Sequence, residues 1–334
     1  MSPASTPIIG VIGTGVTGSA VAAHLAGAGA RVAAHDVLHG AATAASRRIG
    51  GVVVDHLDDL TACDAVVICA PAPHAELVRR FAADGMTVVS LSDDLDDLRQ
   101  LLDLEDLCRR TGARVVVGAG MAPGLSGLLA RHLAAQLDSL DELHVATHGT
   151  AGPACARQHH DALGSTSLGW HDGEWIEPFG GSGRDLVWFP EPVEAHDCYR
   201  AAVGDPLLLH RSFPGVSRIS ARVSATRRDR LTARLPMLTP PHAAGDLGAV
   251  RVEARGAALD GERLTVIAGA AGPAASLAAA VSVATVLRLL EVEVPSGVHS
   301  TADAAVEVLE LLHHATRRGV RVQEFTGVAR PAGW

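Results

Sequence analysis

The sequence predicts a doubly wound α/β domain with a parallel sheet, followed by an α+β domain built on a mostly antiparallel sheet. A glycine turn joins the first apolar run to a helical pattern, and β-branched runs then alternate with helical segments up to about residue 120. These runs show no polar alternation, which is typical of strands covered on both faces. In the later runs charged and apolar residues alternate, which indicates a sheet with one exposed face.

The glycine turn lies between a strand predicted at Ile8–Ile12 and a helix predicted from Val16 to about Leu25. The N–H groups and the dipole at the start of such a helix attract the pyrophosphate of a dinucleotide, and Gly15 lets the backbone approach it closely. In this context the G-x-G-x-x-G motif predicts a Rossmann domain over residues 1–120. The predicted pyrophosphate-binding residues are Gly13, Thr14, Gly15, Val16, Thr17 and Gly18.

Asp36 closes the second predicted strand, Arg31–His35, at the position that sets the cofactor preference. A carboxylate there accepts hydrogen bonds from the ribose diol of NAD and repels the 2′-phosphate of NADP. Arg47 and Arg48 lie one predicted helix away, where they could meet such a phosphate or belong to a solvated helix face. NAD is therefore the expected cofactor, with NADP as the alternative.

Strands and helices continue to alternate through the rest of the first domain. Strands are predicted at 52–54, 65–69, 87–91 and 114–117, and helices at 41–49, 75–83 and 95–110. Beyond residue 120, strands are predicted at 142–148, 218–225, 250–256 and 263–269, and helices at 125–137 and 304–318. Asp260-Gly261 lies between the last two of these strands and is a hairpin signal.

The composition limits the classes of function. The 334 residues carry a net charge of −9 and no Lys/Arg-rich segment, which argues against a nucleic-acid partner. The apolar stretch from Pro273 to Leu290 contains Arg288 and is interpreted as a buried helix, so no membrane partner is expected. No secretory signal pattern precedes the glycine turn, and five cysteines without C-x-x-C spacing suit a reducing cytoplasm.

All 28 residues of the Lys+Arg total are arginines. A chain without lysine forms no Schiff base through its own side chains and has no lysine acid or base. Proton transfer must therefore come from His, Asp, Glu, Cys or the single tyrosine, Tyr199.

Two loops at the carboxyl ends of predicted strands are expected to lie beside the nicotinamide half of the cofactor. Ala70 and Pro71 follow the fourth strand, where the prolines equally suit a plain strand-to-helix turn. Gly120 and Met121 belong to a Gly/Pro-rich loop that leads into the second domain, and this loop is interpreted as a floor and a hinge.

Candidate catalytic residues come from the second domain. His159 and His160 follow a glycine-rich turn, and a histidine that titrates near neutrality suits a proton relay. Tyr199 is a further acid–base candidate, and Arg184 could bind a substrate carboxylate with two hydrogen bonds. Each of the four has a structural alternative, as a core or surface residue. No spacing of His, Cys and carboxylates resembles a zinc site, so no metal is expected.

The glycine turn Gly13–Gly18, the strand Asp64–Ile68 and the loop Gly118–Ser126 resemble the saccharopine dehydrogenase/reductase-like family. The Pro-Gly-Leu-Ser sequence that ends this loop is the most specific of these motifs. Residues 188–192 and 295–299 also look like features of the family. The resemblance is firm over residues 1 to about 135.

The resemblance implies a Rossmann domain over 1–120, a catalytic and dimerisation α+β domain over 121–294, and a C-terminal segment, 295–334, that packs back on the first domain. It also implies an NAD(P)-dependent oxidoreductase that acts on a C–N bond of a small imine, amine or amino-acid-derived substrate, in the cleft between the domains, as a homodimer.

One departure from the family concerns the mechanism. The lysine-forming saccharopine dehydrogenases use a Lys/His pair, which a chain without lysine lacks, so a related substrate is as plausible as saccharopine. Two alternatives remain at this point: a lyase or transferase that oxidises its substrate transiently with bound NAD, and a non-enzymatic dinucleotide sensor.

Overall fold

The computed structural model describes residues 6–237 and 240–325 as two sheets with helices packed on them. The strands are β1 (Ile8–Ile12), β2 (Arg31–His35), β3 (Val52–Val53), β4 (Ala65–Ile68), β5 (Thr87–Ser90), β6 (Arg114–Val117), β7 (Ser139–His148), β8 (Gly169–His171), β9 (Glu174–Ile176), β10 (Asp185–Trp188), β11 (Ala195–Arg200), β12 (Arg218–Ser224), β13 (Leu247–Ala257), β14 (Arg263–Pro273), β15 (Gly297–Ser300) and β16 (Val322–Glu324). The α-helices are α1 (Val16–Gly27), α2 (His39–Ile49), α3 (Ala75–Ala83), α4 (Leu95–Leu102), α5 (Glu105–Thr111), α6 (Leu125–Ala134), α7 (Pro153–Gly164), α8 (Asp205–Ser212), α9 (Arg227–Thr232), α10 (Ala274–Glu291) and α11 (Val308–Arg317).

The first sheet is parallel throughout, in the order β3-β2-β1-β4-β5-β6-β15. The strands β4 and β5 are buried at every position because elements cover both faces of the sheet, as their apolar runs predict. The strand order reverses between β1 and β4. At such a switch point the carboxyl ends of the strands leave a crevice for a ligand. The predicted doubly wound fold is therefore confirmed.

The second sheet has the order β10-β11-β12-β7-β13-β14-β16, with β8 and β9 beside β12. The β12–β7 pair is parallel, and the other strand pairs described in this sheet are antiparallel. Along β12 every second residue is buried, because one face packs on the core and the other does not. The strands β13 and β14 form the predicted hairpin, with Asp260-Gly261 in its turn.

Two predicted helices are each divided. The helix expected over 95–110 is the pair α4 and α5, separated at Asp103 and Leu104. Glu105 and Asp106 suit the first turn of a new helix, because the positive end of the helix dipole attracts acidic side chains. The helix expected over 304–318 is a short 3₁₀ turn followed by α11, because Glu307 adopts the left-handed conformation between them.

The division 121–294 implies that helix α10 belongs to the second domain alone, but α10 contacts both domains. It packs against α1 and against β4 and β5 of the first sheet, and against β13 and β14 of the second sheet. By length and composition this helix could cross a membrane, but 72% of it is buried inside the protein. A helix that is apolar on all sides requires cover on all sides, and its place between the two sheets supplies it.

The C-terminal segment 295–334 is divided between the two sheets. Strand β15 extends the first sheet beside β6, as the expected return to the first domain implies. Strand β16 instead pairs with β14 of the second sheet, which the expected division does not include. Residues 326–334 lie outside the described part of the chain.

Candidate active site

The glycine turn between β1 and α1 has no space for a side chain at two of its glycines and has free space at the third. Gly13 has a φ of +84°, and a Cβ there would lie 2.5 Å from the Ala70 nitrogen. A Cβ on Gly18 would lie 1.7 Å from the Gly13 carbonyl oxygen. A Cβ on Gly15 would meet no atom within 4 Å. The fold therefore requires the outer two glycines, whereas Gly15 faces open space where a ligand can approach the backbone.

The start of α1 presents backbone N–H groups to this open space. Its N-cap residue, Gly15, supplies no side-chain hydrogen bond, so the side chains do not satisfy the N–H groups of Val16, Thr17 and Gly18. Unsatisfied N–H groups and the positive end of the helix dipole make an anion-binding position. Unsatisfied N–H groups and open space therefore meet at the turn for which the sequence predicts pyrophosphate binding.

Asp36 lies at the carboxyl end of β2, beside the glycine turn. Its Oδ2 accepts hydrogen bonds from the Thr14 N–H at 2.6 Å and from the Thr14 hydroxyl at 2.9 Å, and its Oδ1 accepts one from the Leu38 N–H at 2.8 Å. Partial burial opposes ionisation, but these hydrogen bonds lower the pKa of Asp36 below its usual value. The side chain is therefore a fixed carboxylate at the predicted ribose position.

A cleft of about 650 Å³ lies between the carboxyl edge of the first sheet and helix α7. Its first wall includes Pro71 and residues 93–96, which end the loop after β5 and begin α4, and its second wall includes α7. The start of α7 packs closely on the start of α1. A Cβ added to Gly152, which precedes α7, would lie only 2.9 Å from Cγ2 of Val16. The cleft therefore opens beside the dinucleotide cradle.

His159 faces Asp93 across this cleft. The His159 Nε2 lies 3.4 Å from Asp93 Oδ2, and both side chains are mostly buried. Cys155 lies one helical turn before His159, and donor atoms of all three residues lie within 4.8 Å of one another. Burial alone would lower the pKa of His159, but the Cys155 sulfur and the Asp93 carboxylate beside it raise that pKa well above its usual value. His159 is therefore a proton-bearing group in the cleft.

Asp205 lies at the first position of α8 and interacts electrostatically with both Asp93 and His159. Its carboxyl accepts a hydrogen bond from the Ser126 hydroxyl. Burial, and to a smaller extent the charge of Asp93, raises the pKa of Asp205 to about 6. A carboxyl that is only 2% exposed thus anchors the start of α6.

The other loop residues named from the sequence take different places. Pro71 lines the cleft, and the Ala70 carbonyl oxygen lies 2.7 Å from Nε2 of His74. The Gly120 N–H donates to the Pro123 carbonyl, and Met121 is buried with its sulfur near Gly248 of β13. The loop before α6 therefore contacts β13 of the second sheet, and its role as a floor under the nicotinamide stays a prediction.

Of the four predicted catalytic residues, the structure places His159 alone in the lining of the cleft. His160 is buried in the second domain, with Nε2 at 2.8 Å from the Leu235 carbonyl oxygen. Tyr199 is 1% exposed in the core, and its hydroxyl has no hydrogen-bond partner among residues 6–237 and 240–325. Arg184 is exposed and pairs with Asp197 at 2.9 Å. The structure does not bring these three residues to His159.

Sequence reasoning missed Asp93, Cys155 and Asp205. Asp93 follows the end of β5, so the rule that ligands lie beyond the carboxyl ends of strands could have singled it out. Cys155 and His159 are four residues apart, a spacing that places two side chains on one helix face. No signal in the sequence connects Asp205 with this group. The sequence spacing that predicts no metal site does not detect the group Asp93, Cys155 and His159, because a loop and a separate helix supply these three donors.

Charged side chains line the cleft unevenly. Arg99 is paired with Asp96 at 2.8 Å, whereas the exposed Arg157 makes no ion pair with any residue in the described part of the chain. Beside His159, the cleft is lined by two arginines, Arg99 and Arg157, and by five carboxylates, Asp93, Asp94, Asp96, Asp161 and Glu177. The lining therefore favours a cation, with one unpaired arginine that could hold an anionic group.

No protein-family model and no curated protein matches this chain in sequence. Among solved structures, the saccharopine dehydrogenase (L-Glu forming) of Saccharomyces cerevisiae superposes with a TM-score of 0.72 at 14% identity, over 96% of this chain and 100% of that chain. GenD2 from gentamicin A biosynthesis, solved with NAD, has a TM-score of 0.45 at 16% identity, over 96% and 97% of the two chains. The WlbA dehydrogenase of Bordetella pertussis, solved with NADH and UDP-GlcNAcA, has a TM-score of 0.42 at 16% identity, over 94% and 96%.

The likeness to the yeast enzyme extends over nearly the whole of both chains, and at 14% identity it concerns the fold. The 96% of this chain that superposes includes strands of both the parallel sheet and the mostly antiparallel sheet. This chain has the fold of saccharopine dehydrogenase.

Proposed function

We propose that the protein is an NAD(P)-dependent oxidoreductase that acts on a C–N bond in the cleft between the first sheet and α7. The observation that carries this proposal is the His159–Asp93 pair, which lies in the cleft beside the glycine turn. An oxidoreductase of this kind needs a cofactor site and a proton relay on opposite sides of one substrate position.

The residues present fit a nicotinamide dinucleotide. The open side of Gly15 and the N–H groups at the start of α1 suit the pyrophosphate, and the ionised Asp36 suits a ribose diol. When bound, the cofactor supplies or accepts the hydride. The carboxylate of Asp36 supports NAD over NADP, because a phosphate in the same place would be repelled.

His159 supplies the proton in this proposal. Its raised pKa keeps the imidazole protonated near neutral pH, so the ring can donate a proton to the nitrogen of an imine as the neighbouring carbon is reduced. In the opposite direction the neutral ring accepts that proton. Asp93 acts as a positioning residue, because its carboxylate orients the ring and stabilises the imidazolium form.

The charges of the cleft support an amine or imine substrate. Five carboxylates against two arginines create a negative potential that attracts an ammonium or iminium group. Arg157 is exposed at the cleft and could bind a substrate carboxylate. An amino acid, or an imine formed from an amine and a 2-oxo acid, carries both groups.

The test begins with a titration of the purified protein with NADH and with NADPH, in which the fluorescence of the nucleotide reports binding. A panel of 2-oxo acids is then added with and without amines, and the loss of nucleotide absorbance is recorded. We expect oxidation of NADH with an acid and an amine together, and little with either alone. Turnover of ketones without an amine would contradict the C–N assignment, and absence of nucleotide binding would contradict the whole proposal.

The expected homodimer and cytoplasmic location remain predictions. Leu186 and Trp188 are 57% and 59% exposed on β10, the strand at one end of the second sheet's main order, where a second subunit could cover them. Light scattering of the eluted protein would measure its mass, and a monomeric mass at micromolar concentration would refute the dimer.

A further inference from the structure

Asp93, Cys155 and His159 present a carboxylate oxygen, a sulfur and an imidazole nitrogen to one point in the cleft. These donor atoms lie within 4.8 Å of one another, and none of the three residues is fully exposed. Asp93 comes from the loop after β5, whereas Cys155 and His159 come from the first two turns of α7. The three donors therefore bridge the two walls of the cleft.

The spacing of the donors suits a tetrahedral metal ion. Zinc binds imidazole nitrogen and carboxylate oxygen at about 2.0–2.1 Å, so two such ligands of a tetrahedral site lie about 3.3 Å apart. The distance from His159 Nε2 to Asp93 Oδ2 is 3.4 Å. The pair therefore has nearly the separation of two zinc ligands before any movement of the protein.

The donor types select among metals. A thiolate with an imidazole favours Zn²⁺ over Mg²⁺ or Ca²⁺, which prefer sites made of oxygen alone. A thiolate and a carboxylate together neutralise a divalent cation. Asp205 interacts electrostatically with both Asp93 and His159, so the surroundings add negative charge when its carboxyl is ionised.

We propose that Asp93, Cys155 and His159 bind one Zn²⁺ ion reversibly, with a fourth coordination position open to the cleft. Binding forms Zn–O, Zn–S and Zn–N bonds with the carboxylate, thiolate and neutral imidazole forms of the three side chains, and any proton held by the sulfur or the ring nitrogen passes to water. The metal is then bound to the His159 nitrogen that the proton relay uses. Zinc is therefore an inhibitor of the oxidoreductase, and this consequence rests on the proposed function, whereas metal binding itself does not.

Cobalt reports the site without any assay of activity. Metal-free protein is titrated with Co²⁺, and the near-ultraviolet thiolate-to-cobalt charge-transfer band is recorded. We expect one Co²⁺ per chain, its displacement by Zn²⁺, and no such band in Cys155→Ser. Asp93→Asn retains the sulfur and therefore the band, with an affinity weaker by at least about tenfold.

Cys63→Ser is the matched control, because Cys63 is a free, partly buried cysteine outside the group and should leave the band unchanged. Thermal unfolding of the metal-free variants verifies that each one folds. A wild-type protein without the band, or a band that persists in Cys155→Ser, overturns the proposed site. A normal cobalt site in a protein that zinc does not inhibit overturns the inhibitory role, and a failed substrate screen leaves the cobalt result intact.

Discussion

The dinucleotide cradle and the His159–Asp93 pair are assembled in different ways. The cradle comes from consecutive residues, 13–18, followed by Asp36 at the end of the next strand. The pair places Asp93 of the first domain against His159 of the second. A local turn constrains the cradle directly, whereas the pair exists only after α7 has packed against the first domain. The cradle is therefore predicted from a motif, and the pair requires the folded chain.

The largest effect that we expect separates two neighbouring histidines. Replacing His159 with Asn should lower kcat about 10²- to 10⁴-fold, because the group that transfers the proton is lost. The variant His160→Asn is the matched control. His160 is buried against the Leu235 carbonyl, so this variant should lose about 1 kcal/mol of unfolding free energy and keep the kcat of its folded fraction.

Steady-state kinetics with the substrate pair from the screen, together with urea unfolding, measures both effects. Equal kcat values for His159→Asn and the wild type would remove the His159–Asp93 pair from the mechanism. Asp93→Asn sharpens the test, since loss of this charge lowers the pKa of His159, which Cys155 and Asp205 also face. The limb of the pH–rate profile at which the acid loses its proton should then move to lower pH.

Within the dinucleotide cradle, substitutions at Gly18 and Gly15 should separate an effect on stability from an effect on nucleotide binding. Gly18→Ala places a methyl group 1.7 Å from the Gly13 carbonyl oxygen, so the unfolding free energy should fall by about 3 kcal/mol or more. Gly15→Ala adds its methyl to open space, so stability should change by less than about 0.5 kcal/mol. Its methyl lies where a pyrophosphate would approach, so the Kd for NADH should rise at least about tenfold.

Urea denaturation and nucleotide fluorescence give the two quantities for both variants. A stable Gly18→Ala protein would mean that the turn is looser than its contacts indicate. Unchanged NADH affinity in Gly15→Ala would move the dinucleotide away from the cradle.

The sequence predicts the first sheet well because its signals are local. Apolar β-branched runs, the glycine turn and Asp36 each depend on a few neighbouring residues. The end of α4 and the left-handed Glu307 carry no comparable signal, so two helices are predicted too long. His159 is identified as a histidine after a glycine turn, but its partner Asp93 is supplied by packing between domains, which no periodicity encodes. For the same reason His160, with the same sequence context, could not be distinguished from it.

Asp205 links the His159–Asp93 pair to the start of α6, and its effect on stability should depend on pH. Burial raises its pKa from 3.8 to about 6, so the folded chain holds this proton more tightly than the unfolded chain does. Stability is therefore lost as the pH rises from about 4 to 6, by at most about 3 kcal/mol, and the loss is constant above that range. Asp205→Asn, which does not ionise, should gain stability relative to the wild type between pH 4 and pH 7.

Urea unfolding of both proteins at the two pH values gives this difference. Ser126→Ala is a useful comparison, since it removes the hydroxyl that donates to Asp205 and leaves the carboxyl in place. A stability difference between wild type and Asp205→Asn that is the same at pH 4 and pH 7 would show that this carboxyl titrates normally.

The smallest effect concerns the choice between NADH and NADPH at the dinucleotide cradle. Asp36→Asn keeps an oxygen that can accept the Thr14 N–H bond but removes the negative charge. Loss of the repulsion toward a 2′-phosphate should shift the ratio of the NADPH and NADH dissociation constants about tenfold toward NADPH, which corresponds to about 1.4 kcal/mol. Arg47→Ala is the matched control, and it should leave the ratio unchanged if Arg47 belongs to a solvated helix face. An unchanged ratio in Asp36→Asn, with a changed ratio in Arg47→Ala, would place the ribose beside α2 instead of beside the end of β2.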